Sequence, residues 1–352
     1  MHVLLVAQWP RRFSPGNFQW PNDTAQAFRR LGHRVTTCCN RESWAESPAI
    51  TARLGAGGAS PAWLMRWHAA GQRRRDRRVV TLVQQHRPDL VLLLNGALIS
   101  AEGLREVRRA TSGCLVSWWA DEPWLDAAFM ASVDVFDHVC VFDRAYIPRL
   151  RSAGAAQVHF LPCACNERVY GPLRLRPMEQ RRFACDVAFV GWYYPERGPV
   201  MGALAQDADV QLGIWGGQWN SPEAQRALHG ASVVRGAAVS DRTAAKIYCA
   251  SKIGINVHAR HSLLAGVNTR TFELLASGLF QLVDRIDGME ELLAPGREVV
   301  CYTSPEEARV LARRYLADPS ERAAIAARGR ERALAEHTYV CRMRTLLNVA
   351  SS

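Results

Sequence analysis

Residues 266–278 read GVNTRTFELLASG, and the chain runs at once into the apolar stretch Phe280-Gln281-Leu282-Val283. The pattern predicts a loop, a helix and a strand. Asn268, Arg270 and Glu273 form one polar ladder on the helix, and Arg270 and Glu273, three apart, share a face. Arginine is the side chain for forked hydrogen bonds to phosphate. A carboxylate one turn further on can accept from vicinal hydroxyls such as those of a ribose. Together they ask for a nucleotide.

Working outward, Ser251–Val257 upstream reads as a buried strand, preceded by a helix at 241–250. The strand 186–190 ends at Gly191, and 210–215 ends at Gly216. Runs of the same kind recur in the first half, at 2–7, 33–37, 90–94, 114–119, 137–142 and 158–161, with helices expected at 25–30, 62–86 and 101–110. Strand, helix and strand in alternation give α/β architecture, here two doubly wound Rossmann-like domains. We expect a first domain over 1–165, a linker without periodicity over 166–184, and a second domain over 185–335. A last helix over 336–352 is expected to cross back to the first domain. Two strong helix starts, Ser304-Pro305-Glu306-Glu307 and Asp318-Pro319-Ser320-Glu321, fall near the end.

A chain of 352 residues with 48% hydrophobic and 22% charged residues is an ordinary globular protein with room for two cores. No apolar run reaches the roughly 18 residues of a membrane span. The opening MHVLLVAQWP reads as a first strand rather than a leader, which suggests a cytoplasmic protein. The ten cysteines include no C-x-x-C and read as reduced, mostly buried small residues. The formal net charge of +11 suits an anionic ligand or an anionic membrane surface. Its densest patch is Arg73–Arg78, interrupted by Asp76, and the simplest reading of such a run is a solvated helix face. No recognition motif supports nucleic acid.

Each candidate site residue has a plain alternative. Asp121, after the strand ending at Trp119, suits a general base for an acceptor hydroxyl, and equally a helix N-cap ahead of Pro123. Arg197, in a Gly/Pro loop after a strand, is a candidate diphosphate contact. Lys252 begins a strand, the wrong end for a ligand. His258 and His261 follow a strand and can reach a sugar or phosphate, or simply face water. Asp207-Ala208-Asp209 spells a cation-binding D-x-D but precedes its strand, so no metal is expected. Trp192, Tyr193, Tyr194, Trp215 and Trp219 suit stacking on a base or sugar, or packing.

Several segments together resemble the GT-B glycosyltransferases, and within them the CgeB-like (spore-maturation-protein-like) group. They are Val187–Gly191 with Arg197, Leu212–Gly216, Lys252–Asn256, Asn268–Gly278 and the tail from Ser304, with Trp118–Pro123 in the first half. The resemblance spans nearly the whole chain and is most specific from 186 onward. It implies two domains facing across a cleft, with a nucleotide-diphosphate sugar on the second domain. The acceptor, a small molecule, glycan or lipid-linked group, would lie mainly on the first. Gly191, Arg197, Gly216, His258, Asn268, Arg270 and Glu273 are then the expected donor residues, Glu273 on that resemblance taking the ribose, and Asp121 is the expected base in a metal-independent hexosyl transfer. The wider family pairs that glutamate with a second one eight positions earlier. Here Ala265 stands there, and the amides of Gly266–Asn268 at a helix start are the alternative hold on the diphosphate. An epimerase on the same fold, or a non-catalytic relative binding a nucleotide or an anionic surface, fits the same segments.

Overall fold

The computed structural model describes residues 1–9, 19–40, 62–259 and 265–351, the side chains at 62, 64, 65 and 96 apart. Residues 10–18, between the first expected strand and helix, and His261 lie outside the described residues. The chain divides into two compact units. One holds the first strand, Gln19–Leu161 and the last helix from Met343 onward; the other contains Pro162–Arg342.

The first unit is built on a six-stranded sheet in the order β2-β1-β3-β4-β5-β6. The strands are β1 His2–Ala7, β2 Arg34–Cys39, β3 Leu90–Leu94, β4 Cys114–Trp119, β5 His138–Val141 and β6 Val158–Phe160, and all pair in parallel. β3 is buried along its whole length. That is the consequence of a parallel sheet covered by helices on both faces, and it is why this strand reads as an unbroken apolar run.

The second unit repeats the scheme, with β7 Cys185–Val190, β8 Leu212–Trp215, β9 Val234–Gly236, β10 Ser251–Asn256, β11 Phe280–Asp284 and β12 Val300–Tyr302. Its order is β12-β11-β10-β7-β8-β9, again parallel throughout. Numbered within the unit this is 6-5-4-1-2-3, the doubly wound dinucleotide-binding order, whose direction reverses between β7 and β10.

The helices depart from expectation in instructive places. The first spans Trp20–Arg30, starting before Pro21 rather than after Asp23, because proline in the first turn costs no intrahelical bond. Part of the expected irregular stretch 166–184 is helical, Pro177–Phe183, with Glu179 bonded back to the Arg176 amide. The two helices after β12 are longer than their caps alone suggest, Pro305–Ala317 and Pro319–Glu336, capped by the Ser304 and Asp318 side chains. The basic run lies on the 25-residue helix Ala62–His86. Its acid, Asp76, turns inward to accept from the Ser100 hydroxyl at 2.6 Å and the Gln72 amide at 2.9 Å. The run is therefore not uniformly solvated.

Candidate functional site

The reversal between β7 and β10 leaves a crevice at their carboxyl ends, where open α/β sheets bind ligands. The helix Thr269–Ala276 starts over it, and Arg270 spans it. Its Nε donates to the Val190 carbonyl at the end of β7 at 2.6 Å, and its NH1 to the Asn256 side-chain oxygen at the end of β10 at 3.1 Å. The guanidinium lies 4.9 Å from the Phe189 ring centre. A Cβ on Gly191 would come within 2.3 Å of Arg270 NH2, so this position must be glycine for the guanidinium to sit there.

Asn256 is the hub. It is fully buried, and its amide nitrogen donates to Asn268 Oδ1 and Thr271 Oγ1, each at 2.9 Å. Its oxygen accepts from Asn268 Nδ2 at 3.1 Å as well as from Arg270. Asn268 is also the N-cap of the helix, accepting from the Thr271 amide at 3.1 Å. Buried Gln281 on β11 donates to the Thr271 carbonyl at 3.1 Å, and Tyr302 on β12 to the Asn256 carbonyl at 2.7 Å. Three strands and the helix start are thus pinned by one polar network, which fixes the rotamers of Asn268 and Arg270. On its other side the helix is anchored by Phe272, which stacks on His337 at 4.4 Å.

Arg197 joins the same place from the loop after β7. It is 5% exposed, and donates to the carbonyls of Val257 at 3.1 Å and Trp192 at 2.6 Å. Its guanidinium sits 5.4 Å from the Phe189 ring, so Arg197 and Arg270 gather around one aromatic. Burial first, and then the charge of Arg270, bring the Arg197 pKa down to about 9.

His258 follows the register of β10 on β11, where Asn256 pairs with Val283. This brings it onto Asp284, whose Oδ1 takes the His258 amide at 3.0 Å and contacts Nδ1 at 2.7 Å. The ring is fully buried, not water-facing, and its Nε2 has no hydrogen-bond partner among the described residues. Glu273, half-buried, sits one turn along the helix from Arg270. Its charge is close enough to raise the pKa values of Cys165, Tyr170 and Tyr248, each already raised chiefly by burial. Gly216 is a packing position: a Cβ there would fall 1.8 Å from the Gly191 carbonyl, which accepts from Trp219 Nε1 at 2.8 Å. Of the aromatic cluster, Tyr193, Trp215 and Trp219 are core, while Trp192 and Tyr194 are exposed.

In the first unit Asp121 follows β4. The short helix Pro123–Leu125 is preceded by Glu122 and has no side-chain cap, so the capping role expected for Asp121 is not the one it has. Instead Asp121 accepts from Asn95 Nδ2 at 2.6 Å, while Asn95 Oδ1 accepts from the Ala120 amide at 2.9 Å. Asn95 follows β3 in the left-handed region, φ 47°, and Ala97 and Leu98 come after at 53° and 54°. Three such residues without glycine mark stored strain of the kind found at working sites. Although Asp121 is exposed in part, the atoms around its carboxyl desolvate it and raise its pKa, while the Asn95 bond pulls the other way.

The remaining candidates are tied up elsewhere. Lys252 pairs with Asp186 at 2.8 Å. Asp207 and Asp209 both bind Arg313 at 2.7 Å. Among the described residues no three His, Cys, Asp or Glu side chains gather as metal ligands. A concavity of about 790 Å³ lies against Cys114, His138 and Gln157, at the amino ends of the first sheet's strands and away from these residues. Asn256, Gln281, Asp284 and Asn95 were not among the expected site residues. The signal for the first two was a polar residue inside an otherwise apolar strand, SKIGIN and FQLVD.

Residues 197–348 match the family model described as Glycosyl transferase-like. No curated protein matches the chain. Among solved structures, sucrose-phosphate synthase from Thermosynechococcus elongatus superposes with a TM-score of 0.67 at 15% identity, covering 100% of this chain and 99% of that one. Anabaena HepE in complex with UDP-glucose gives 0.66 at 15% identity, with the same coverages. A glycosyltransferase from Rickettsia africae gives 0.67 at 11% identity, covering 99% of this chain and 97% of that one. The chain has the GT-B fold, and its residues 197–348 are similar to the glycosyl transferase-like family.

Proposed function

We propose that the protein transfers a hexosyl group from a nucleotide-diphosphate sugar to an acceptor hydroxyl, and that among GT-B enzymes it stands nearest the CgeB-like group. The observation that carries this reading is the pair Arg197 and Arg270, two guanidinium groups drawn around Phe189 at the strand reversal. Burial lowers the Arg197 pKa most and the charge of Arg270 adds to it, and a bound diphosphate would offset both the desolvation and the repulsion. The amides of Gly266–Asn268 would add the helix-start contribution, Glu273 would take the ribose hydroxyls, and His258 would present Nε2 to the phosphates or sugar.

In the transfer, the acceptor oxygen forms a bond to the sugar's anomeric carbon as the bond from that carbon to the nucleotide diphosphate breaks. Asp121 takes the acceptor proton, and the arginines stabilise the departing diphosphate. Charge compensation by guanidinium groups makes the reaction metal-independent on this reading, and activity should survive a chelator.

The test is thermal stabilisation by UDP, dTDP, GDP and ADP, UDP first because HepE was solved with UDP and with UDP-glucose. One nucleotide should raise the melting temperature, and the shift should vanish in Glu273→Ala. If none stabilises the protein, the donor site is wrong. A nucleotide-sugar panel then identifies the sugar, and glycosylated product rather than an epimerised donor establishes transfer.

A further inference from the structure

We propose that the outer face of the helix Ala62–His86 docks on an anionic lipid bilayer. Successive helical residues turn by about 100°, so Trp63, Arg66, Trp67, Arg73, Arg74 and Arg77 all project within an arc of roughly 120°. All six are exposed, Trp63 at 60% and Trp67 at 39%. The opposite arc carries buried Val79 and Val83 and the helix's single acid, Asp76, which is spent on Ser100 and Gln72. The exposed arc therefore holds two indoles, four guanidinium groups and no carboxylate.

From Trp63 to Arg77 the stripe is about 21 Å long, at roughly 1.5 Å per residue. Its aromatic end and its cationic run lie on one line, so a flat surface meets both together. Indole rings partition to the headgroup level of a bilayer, and arginines near the surface are attracted by anionic lipids. The two indoles stand in the first two turns of the helix, ahead of its buried residues Asp76, Val79 and Val83. The charge complement is that of acidic phospholipid, and the chain's net charge of +11 has the same sign. The proposal uses no residue of the nucleotide site and stands or falls apart from it.

The test is flotation of the purified full chain with phosphatidylcholine vesicles, with and without phosphatidylglycerol. The expected result is partitioning onto the phosphatidylglycerol vesicles only, lost at high salt. The triple change Arg73→Gln, Arg74→Gln, Arg77→Gln should weaken it about a hundredfold, at roughly fivefold per arginine. The same three positions changed to Lys should keep most of it, since the charge is retained. Trp63→Ser with Trp67→Ser should weaken it at every salt concentration. Matched melting temperatures establish that the variants fold. No flotation with acidic vesicles overturns the proposal, as does flotation that the glutamine and serine variants leave unchanged. Displacement by single-stranded RNA with no dependence on the tryptophans would make the surface a polyanion site instead.

Discussion

Asn256→Ala is the sharpest probe of the second unit, because the residue does its work without being positioned to touch a ligand first. Its amide makes four bonds of 2.9–3.1 Å, two with Asn268, one with Thr271 and one with Arg270. A neutral bond contributes about 1 kcal/mol net, and one to a charged group about 1.5–3 kcal/mol. Removing all four while leaving the partners buried should cost about 3–5 kcal/mol after partial repair. The same change frees Arg270 NH1 and loosens the N-cap, so nucleotide affinity should fall at least about tenfold, the equivalent of roughly 1.4 kcal/mol. Denaturant unfolding of the second unit and titration calorimetry with the stabilising nucleotide measure the two effects. Asn256→Asp separates hydrogen-bond direction from volume. Its shape is nearly that of the native side chain, but one carboxylate oxygen would face the Asn268 oxygen that now accepts from the amide. It should therefore still destabilise. A loss below about 1 kcal/mol in Asn256→Ala, with affinity intact, would refute the idea that this network holds Arg270.

Further outcomes follow from single contacts. Gly191→Ala should fold but lose nucleotide binding, because the Cβ meets side chains, the far end of Arg270 first and then the Phe189 ring at 3.1 Å, whereas Gly216→Ala meets a backbone carbonyl and should unfold the unit; melting and calorimetry distinguish them. Asp121→Asn should lower the transfer rate by about 10²–10⁴ in kcat. Asn95→Ala removes the bond that favours the ionised Asp121 carboxyl, so its already raised pKa rises further and the acid limb of the rate profile moves to higher pH. Burial raises Asp241 to about 6, against a partial pull from Tyr170. The folded state then holds this proton more tightly than the unfolded chain, so the group's contribution falls as pH rises from about 4 to 6. Asp241→Asn should accordingly stabilise more at pH 8 than at pH 5, read from unfolding midpoints.

Much of the fold was legible because parallel strands buried on both faces must be apolar runs, as in Leu90–Leu94, and because proline and acid at helix starts announce themselves, as at Ser304 and Asp318. The site was legible in outline only. Arg270 and Asn268 were visible as polar residues on a helix, but not the direction in which they point, which is set by Asn256 fourteen and twelve positions away. Asn95 closes the apolar run Leu90–Leu94 at the end where such sheets bind ligands, and nothing local says that its side chain bridges to Asp121. The first turn at Trp20–Pro21 and the helix Pro177–Phe183 are not legible from apolar periodicity, because a proline start and, in the second, the Glu179 bond to the Arg176 amide define them within a turn or two.

The strand order of the second unit has a bearing on how the site comes into being. β7 and β10 lie side by side, yet β8 and β9 and the helices between them intervene along the chain. Arg270 closes over β7 across a separation of 80 residues. No short fragment can carry the site, and closure of so long a loop places its assembly late in folding. A chain emerging from synthesis would bind no nucleotide until the helix Thr269–Ala276 had docked. The segment between the two strands meets the arginine pair at its two ends, through Gly191 and Arg197 just after β7 and through Tyr248, which hydrogen-bonds Arg270, just before β10, so insertion and exchange are best borne at the outer loops in between.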